Sequence, residues 1–295
     1  MKKIILFVLS TVAGISGYSQ GTVTIKNFTY QNIIILADLS SRTKSAKFPQ
    51  KDTAVIRQLV SYFKNDCVMP GKKIGDNSSI SFSPFSLPEG RTIDLESFRD
   101  LGDKQRFINS KGKYKNAGLQ RKLDDLEGFA RMQYKTVSNP GMDLISLLIE
   151  RIEGGGLIKK DHSVTIGDEI TRTHFSNHIY ILTDGYLEFK FAGNPSNEYY
   201  FGVPQIEKLR KFCVAKGLTP GKALEANSSL GLKGYASTYN RLIDLHVLET
   251  AERDKDLIYL TYSHPKGLRD NEILEAVWRK WAKDSGFRSL EWKKY

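Results

Sequence analysis

The feature that most constrains the fold is a short apolar run that ends at an acid. Four branched aliphatic residues, Ile33 to Leu36, are followed by Asp38 and then by small hydroxyl residues. A run this short and this apolar predicts a strand buried on both faces, as central strands of parallel sheets are. Open α/β sheets place their binding crevices at the carboxyl ends of such strands. We therefore expect a site around Asp38.

A second buried strand with the same ending is predicted later in the chain. The run His178-Ile-Tyr-Ile-Leu182 leads directly into Thr183-Asp184-Gly185, so it too ends in an aspartate. Further strands are predicted at 80–85, 242–248 and 287–292, and helices at 52–65, 118–134, 144–152, 203–216 and 270–285. Alternating strands and helices predict an α/β fold with a doubly wound, mostly parallel central sheet flanked by helices, which is a Rossmann-like arrangement. We expect one domain over residues 21–295, with loop insertions, the main one around residues 87–115.

The first twenty residues have the pattern of a cleaved secretory signal. Lys2 and Lys3 precede an apolar run from Ile4 to Leu9, and small residues follow from Gly14 to Ser19. The apolar run is too short to span a bilayer comfortably, and no cysteine follows it to accept a lipid. The sequence thus predicts a signal peptide over residues 1–20 and an exported protein, periplasmic or secreted, whose mature chain has no transmembrane segment.

The charge balance suggests classes of partner. The formal net charge is +11, and basic residues concentrate at 99–122 and at 278–295. Such patches attract polyanions. Nucleic acid is not expected, because the protein is predicted to be exported and carries no recognised nucleic-acid motif. Acidic glycans, an anionic membrane surface or an acidic partner protein remain open, as does a basic face that only contacts solvent.

Only two cysteines, Cys67 and Cys213, occur in the chain. In an exported protein they could form one disulfide, but the sequence does not show whether they meet.

Three polar loops are expected to converge. The loop Asp38-Leu-Ser40 follows the first strand, Ser138-Asn-Pro-Gly141 precedes a helix, and Thr183-Asp-Gly185 follows a later strand. Their carboxylates and hydroxyls are all oxygen ligands, the set that suits a hard cation such as Mg²⁺. Two carboxylates brought close without a cation would repel each other, so a cation offers a physical reason for the arrangement.

This combination resembles the von Willebrand factor type A (vWA) domain and its metal-ion-dependent adhesion site. That family carries D-x-S-x-S after its first strand, a T-x-x-G loop before a helix and a T-D-G-like turn. Asp38 and Ser40 match the first motif, Ser138 stands at the usual threonine with Gly141 at the right spacing, and Asp184 matches the last. The resemblance implies a non-enzymatic domain with Mg²⁺ at Asp38, Ser40, Ser138 and Asp184, whose open position an acidic group of the partner completes.

The chain departs from the family pattern at Arg42, which stands where the first motif has its second serine. An arginine carries a fixed positive charge and cannot ligate a cation. Two interpretations follow. Either Arg42 points to solvent and a water replaces the lost ligand, or its guanidinium lies between Asp38 and Asp184 and replaces the metal.

The preferred function is an exported binding or adhesion domain that engages a protein or acidic extracellular ligand around Asp38, through Mg²⁺ if a metal is used. One alternative is a metal-dependent hydrolase or phosphotransferase that uses Asp38 and Asp184. Another is a metal-free structural domain in which Arg42 neutralises both carboxylates. A serine hydrolase is disfavoured because no G-x-S-x-G elbow occurs.

Overall fold

The computed structural model describes residues 23–40, 47–87, 89–136, 141–189, 198–256 and 258–294. Within them, seven strands form one sheet in the spatial order β3-β2-β1-β5-β6-β7, and β4 pairs with β5 outside that path. The strands are β1 (Thr24–Ala37), β2 (Ser79–Pro84), β3 (Arg91–Asp94), β4 (His162–Ile166), β5 (Glu169–Leu182), β6 (Ile243–Thr250) and β7 (Ser289–Lys294).

The centre of this sheet is parallel, as predicted. Strand β1 pairs in parallel with β2 and β5, β5 with β6, and β6 with β7. The two antiparallel pairs, β2 with β3 and β4 with β5, add the remaining strands. The predicted α/β class with a doubly wound, mostly parallel sheet is confirmed, and the architecture is compatible with a Rossmann-like fold.

Helices cover both faces of the sheet. They are α1 (Lys47–Tyr62), α2 (Leu101–Ile108), α3 (Leu119–Thr136), α4 (Leu144–Glu153), α5 (Val203–Lys216), α6 (Pro220–Ala226) and α7 (Asp270–Ser285). Because side chains alternate along a strand, Ile33 and Ile35 pack with α1, α2 and α3. On the opposite face Ile34 and Leu36 pack with α4 to α7. The apolar run of β1 is therefore buried on both faces, as its composition predicts.

Several elements differ from the sequence-based expectation. Strand β5 begins at Glu169 rather than at His178, and with β4 and the start of β1 it forms a ribbon. The ribbon mixes threonine and charged residues with a few apolar ones, and its apolar side chains Ile25, Val164 and Ile166 are exposed. The sequence there has β propensity but no buried apolar face that would indicate a strand. Helix α1 begins at Lys47 rather than at Asp52, and the buried Asp52 carboxylate accepts a hydrogen bond from the Tyr134 hydroxyl (2.8 Å).

The two tryptophans of α7, Trp278 and Trp281, are fully buried in the core. The two cysteines are buried free thiols that belong to different core clusters. Cys67 packs on the α1 face of the sheet and Cys213 on the α7 face. The sheet separates them, so no disulfide joins them.

Within the described ranges, no helix combines the length and the apolar character needed to cross a membrane. The predicted signal peptide, residues 1–20, lies outside those ranges.

Candidate functional site

The sheet brings the two predicted strand-end acids to one rim. Strands β1 and β5 are parallel neighbours in the register Ala37 opposite Leu182, and the Asp38 amide donates to the Leu182 carbonyl (2.9 Å). Both acids are nearly inaccessible, with Asp38 4% and Asp184 7% exposed. Buried carboxylates require compensating donors or cations, so the contacts of each define what the site can do.

Asp38 is held by donors from two loops. Its Oδ1 accepts a hydrogen bond from the backbone amide of Ser40 (3.0 Å), which folds the loop after β1 back on itself. Its Oδ2 accepts one from the hydroxyl of buried Thr183 (3.0 Å) at the end of β5. These contacts join the β1 and β5 loops and orient the Asp38 carboxylate at the rim.

Asp184 has a cationic neighbour that the sequence did not point to. Its Oδ1 accepts from the Tyr186 amide (3.2 Å), and its Oδ2 from the guanidinium of Arg253 (3.2 Å). Arg253 also pairs with Glu188 and lies over the Tyr186 ring, with its guanidinium carbon 3.8 Å from the ring centre. Burial acts to lower the pKa of Arg253, but Asp184 and Glu188 outweigh it and raise that pKa. Arg253 is therefore a fixed positive charge at the rim.

Two glycines allow the loops to approach each other closely. Gly185 has φ +91°, and a Cβ there would lie 2.7 Å from the Trp292 ring. Gly141 has φ +107°, and a Cβ there would lie 2.4 Å from the carbonyl oxygen of Glu188. Only glycine meets both demands, so these residues set the shape of the rim.

Together these loops enclose a small cavity, which we call the rim recess. It has a volume of about 60 Å³ and is lined by Asp38, Ser40, Gly141, Met142, Leu144, Asp184, Tyr186, Glu188 and Arg253. A cavity of that size holds an ion with a few waters, whereas organic ligands usually occupy roughly 300–1,000 Å³. Three carboxylates face one guanidinium here, so the described lining is net negative.

The structure accounts for some of the predicted site residues and adds others. Asp38, Ser40 and Asp184 line the same cavity, the rim recess. Ser138 and Arg42 lie outside the described residues, so both interpretations of Arg42 remain predictions. No sequence motif points to Arg253 or Glu188, which also line the recess. The position of Arg253 could have been suspected, since it follows the predicted strand at 242–248, whose carboxyl end reaches the same rim.

The chemistry of the rim recess fits a hard cation in its ligand types. Carboxylate and hydroxyl oxygens from Asp38, Ser40 and Asp184 are what Mg²⁺ prefers. Arg253 opposes this fit, because its guanidinium already compensates Asp184. A cation here would have to compete with Arg253 for that carboxylate.

A second acidic cluster contacts the lining of the rim recess through Tyr186. One ligand atom each from Asp254, His264 and Asp270 lies within 4.8 Å of the others. Asp270 is nonetheless compensated within the protein, since it accepts from the Tyr186 hydroxyl (2.5 Å) and pairs with Arg210. Burial, followed by the charge of Asp270, raises the pKa of Asp254. This network holds Tyr186, and through it Arg253, in place.

Fold and site together define an α/β protein with a small, acid-lined cavity at the carboxyl ends of parallel strands. No known protein-family model matches the chain, and no curated protein sequence matches it.

Proposed function

We propose that this chain is an exported, non-enzymatic vWA-like binding domain whose rim recess holds Mg²⁺ and engages an acidic group of a protein or other extracellular ligand. The observation that carries the proposal is the meeting of Asp38, Ser40 and Asp184 in one recess at the ends of β1 and β5. Asp38, Ser40, Ser138 and Asp184 would hold the ion, and the ion would supply a positive charge for the partner's carboxylate.

The charge of the recess supports a role for a cation. Among the described lining residues, the carboxylates of Asp38, Asp184 and Glu188 outnumber the guanidinium of Arg253. A partner carboxylate would be repelled by this lining unless a further positive charge were bound between them. An acidic partner is therefore compatible with this rim when a cation is present.

Calorimetric titration with Mg²⁺ and Mn²⁺ tests the proposal. We expect binding at millimolar concentrations or tighter, and at least a tenfold loss of affinity in Asp38→Asn and in Asp184→Asn. Asp66→Asn, which removes an exposed carboxylate in the π-helical segment Phe63–Val68 after α1, is the matched control and should bind as the unmodified protein does. Absence of binding in the unmodified protein would contradict the proposal.

The Arg253–Asp184 ion pair favours a second candidate, a metal-free domain in which a guanidinium has taken over the role of the ion. In that case the unmodified protein binds no Mg²⁺, and Arg253→Gln, which frees the Asp184 carboxylate, creates a site. If the ion is native, Arg253→Gln should instead strengthen existing binding. The same titration thus separates the two candidates.

The hydrolase or phosphotransferase alternative finds less support, because the rim recess is several times smaller than a usual organic substrate site. A panel of phosphate and carboxylate esters, assayed with Mg²⁺ and repeated with Asp38→Asn, tests it. Turnover that disappears in Asp38→Asn would favour the enzyme.

A further inference from the structure

Two histidines on neighbouring strands point ring nitrogens at each other. His178 lies on β5 and His246 on β6, and His178 Nδ1 is 3.1 Å from His246 Nε2. Both lie on the face of the sheet that α1 covers, because Tyr180 and Leu248, two positions further along the same strands, pack in or against that core. Their side chains are 21% and 15% exposed, so solvent reaches both rings. We call these two residues the histidine pair.

The outer nitrogen of each ring donates to an oxygen atom. His246 Nδ1 lies 2.6 Å from Oε2 of Glu291, and a carboxylate only accepts hydrogen bonds. His178 Nε2 lies 3.1 Å from the side-chain carbonyl oxygen of Gln31, which also only accepts. Each ring therefore carries a proton on its outer nitrogen. The ring of Tyr180 stacks on that of His246, with 4.3 Å between the ring centres, and holds its plane.

The two inner nitrogens, His178 Nδ1 and His246 Nε2, then face each other with their lone pairs. A neutral imidazole has one N–H and one acceptor nitrogen, so neither inner nitrogen has a proton to donate to the other. Two facing acceptors are unfavourable unless a proton or a metal ion binds them. Protonation of His178 is opposed, because burial, followed by the charge of His246, lowers its pKa. The arrangement therefore favours a bound metal ion.

We propose that the histidine pair binds one divalent transition-metal ion of the class that prefers imidazole, such as Zn²⁺ or Cu²⁺. Metal–nitrogen bonds of about 2.0–2.1 Å place two nitrogens of one ion roughly 2.8–3.4 Å apart, at bond angles between square-planar and tetrahedral. The observed separation of 3.1 Å falls in that range. The ion lies off the line between the two nitrogens, and waters complete its coordination. Mg²⁺ prefers oxygen ligands, so this site differs from the rim recess in the ion it selects.

The neighbours of the pair orient both rings as metal-binding histidines require. Such histidines usually donate their other N–H to a carboxylate, a backbone carbonyl or a water, which fixes the ring and raises its basicity. Glu291 makes this contact, and the side-chain carbonyl of Gln31 makes an equivalent one. Asp244 adds a carboxylate oxygen 3.7 Å from His178 Nδ1, and a hydrogen bond from Arg288 lowers the pKa of Asp244 to about 2. Among these contacting groups two carboxylates face one guanidinium, which favours a cation.

The histidine pair is separate from the rim recess. His178 precedes the last residue of β5 by four positions, so it lies roughly 13 Å from the rim along the strand. Neither histidine lines the recess. An ion here links β5 to β6, and because it binds only the folded chain, it stabilises the sheet.

Calorimetric titration of the protein, purified without a histidine tag, with Zn²⁺ in buffer that contains millimolar Mg²⁺ tests this inference. We expect one Zn²⁺ per chain with a dissociation constant in the micromolar range, and a melting temperature that rises with Zn²⁺ concentration. His178→Gln and His246→Gln should each weaken binding at least tenfold, and Glu291→Gln should weaken it roughly tenfold. With Cu²⁺, the electron paramagnetic resonance spectrum of the unmodified protein should show two imidazole nitrogens, a result that depends on no variant being folded.

Two further histidines provide controls. His174→Gln is the matched control, because His174 is an exposed histidine on the same strand, and its Nδ1 contacts Asp161. His264→Gln is the second, because His264 lies beside Asp254 and Asp270, two carboxylates that also attract cations. Both variants should bind Zn²⁺ as the unmodified protein does. Melting temperatures in metal-free buffer check that every variant is folded.

Absence of binding up to millimolar Zn²⁺ would overturn the inference. That result is expected if the Gln31 amide is turned over, because its N–H would then face His178 Nε2, and His178 Nδ1 would donate an ordinary hydrogen bond to His246. Zn²⁺ binding that persists in both His178→Gln and His246→Gln would also overturn it. Asp38→Asn, which tests the rim recess, should leave Zn²⁺ binding unchanged, so failure of the Mg²⁺ proposal and failure of this one are distinguishable.

Discussion

At the scale of single residues, the rim depends on a few positions with specific demands on charge and backbone conformation. Asp38 and Asp184 are buried acids whose charges need the donors around them. Gly185 lets the loop after β5 turn under Trp292. The short Thr183-Asp184-Gly185 sequence therefore supplies the rim with a hydrogen-bond donor, a carboxylate and a tight turn.

Gly185→Ala should destabilise the protein by about 2–3 kcal/mol. Part of that cost, about 1 kcal/mol or more, comes from placing a Cβ at φ +91°, and the rest from its contact with Trp292. Gly267→Ala is the matched control, because Gly267 also has φ +91° but no atom lies near its Cβ position. Urea unfolding of both variants checks this, and equal losses would show that the Trp292 contact relaxes at little cost.

Some residues of the site can be predicted from the sequence, and others cannot. Asp38 and Asp184 were predicted to meet because parallel strands end at one rim. Arg253 was not, because it lies in an irregular loop that Tyr186 and Asp270 hold through tertiary hydrogen bonds. The sequence does not indicate the ribbon formed by β4 and the start of β5, for another reason: residues 162–174 are mostly polar and their apolar members Val164 and Ile166 are exposed, so pairing rather than burial orders them.

At the scale of elements, α7 connects the core to the rim. Its Trp278 donates from Nε1 to the carbonyl of Gly185 (2.9 Å), so one helix both fills the core and holds the loop after β5. The neighbouring Trp281 is equally buried, but its Nε1 has no hydrogen-bond partner in the described structure. The pair therefore offers an internal comparison.

Trp278→Phe should cost about 1–2 kcal/mol more than Trp281→Phe. Both changes remove similar buried area, but only the first leaves the Gly185 carbonyl without its donor. Thermal and denaturant unfolding measure the difference, and Mg²⁺ titration reports whether the rim shifts. Equal destabilisation by the two variants would mean that the hydrogen bond contributes little.

At the scale of the whole molecule, the sheet divides the interior into two cores, and each contains one thiol. Burial raises the pKa of Cys67 to about 11 and also raises that of Cys213. The reactive thiolate is therefore scarce in both at neutral pH. Chemical labelling of Cys67 therefore measures how accessible the core on the α1 face is, and labelling of Cys213 measures the same for the core on the α7 face.

We expect a disulfide reagent such as DTNB to leave the native protein almost unmodified at pH 8 and to label two thiols after unfolding in guanidinium. Cys67→Ala and Cys213→Ala, each labelling one thiol on unfolding, serve as controls. A reductant should leave the melting temperature unchanged, because no disulfide holds the fold. Rapid native labelling, or a lower melting temperature in reductant, would contradict the separation of the two cores.

The central pairing of β1 with β5 has a kinetic consequence. The side chains of Asn32 and Asn177 hydrogen-bond across this pair, yet they are 145 positions apart in the chain. During synthesis, 145 further residues must be added after Asn32 before the paired position on β5 has been made. Parallel sheets closed by such distant segments fold slowly and expose aggregation-prone surface meanwhile. We therefore expect this protein to remain unfolded until late in translation. During that time the apolar strand β1 is the segment that a chaperone would bind.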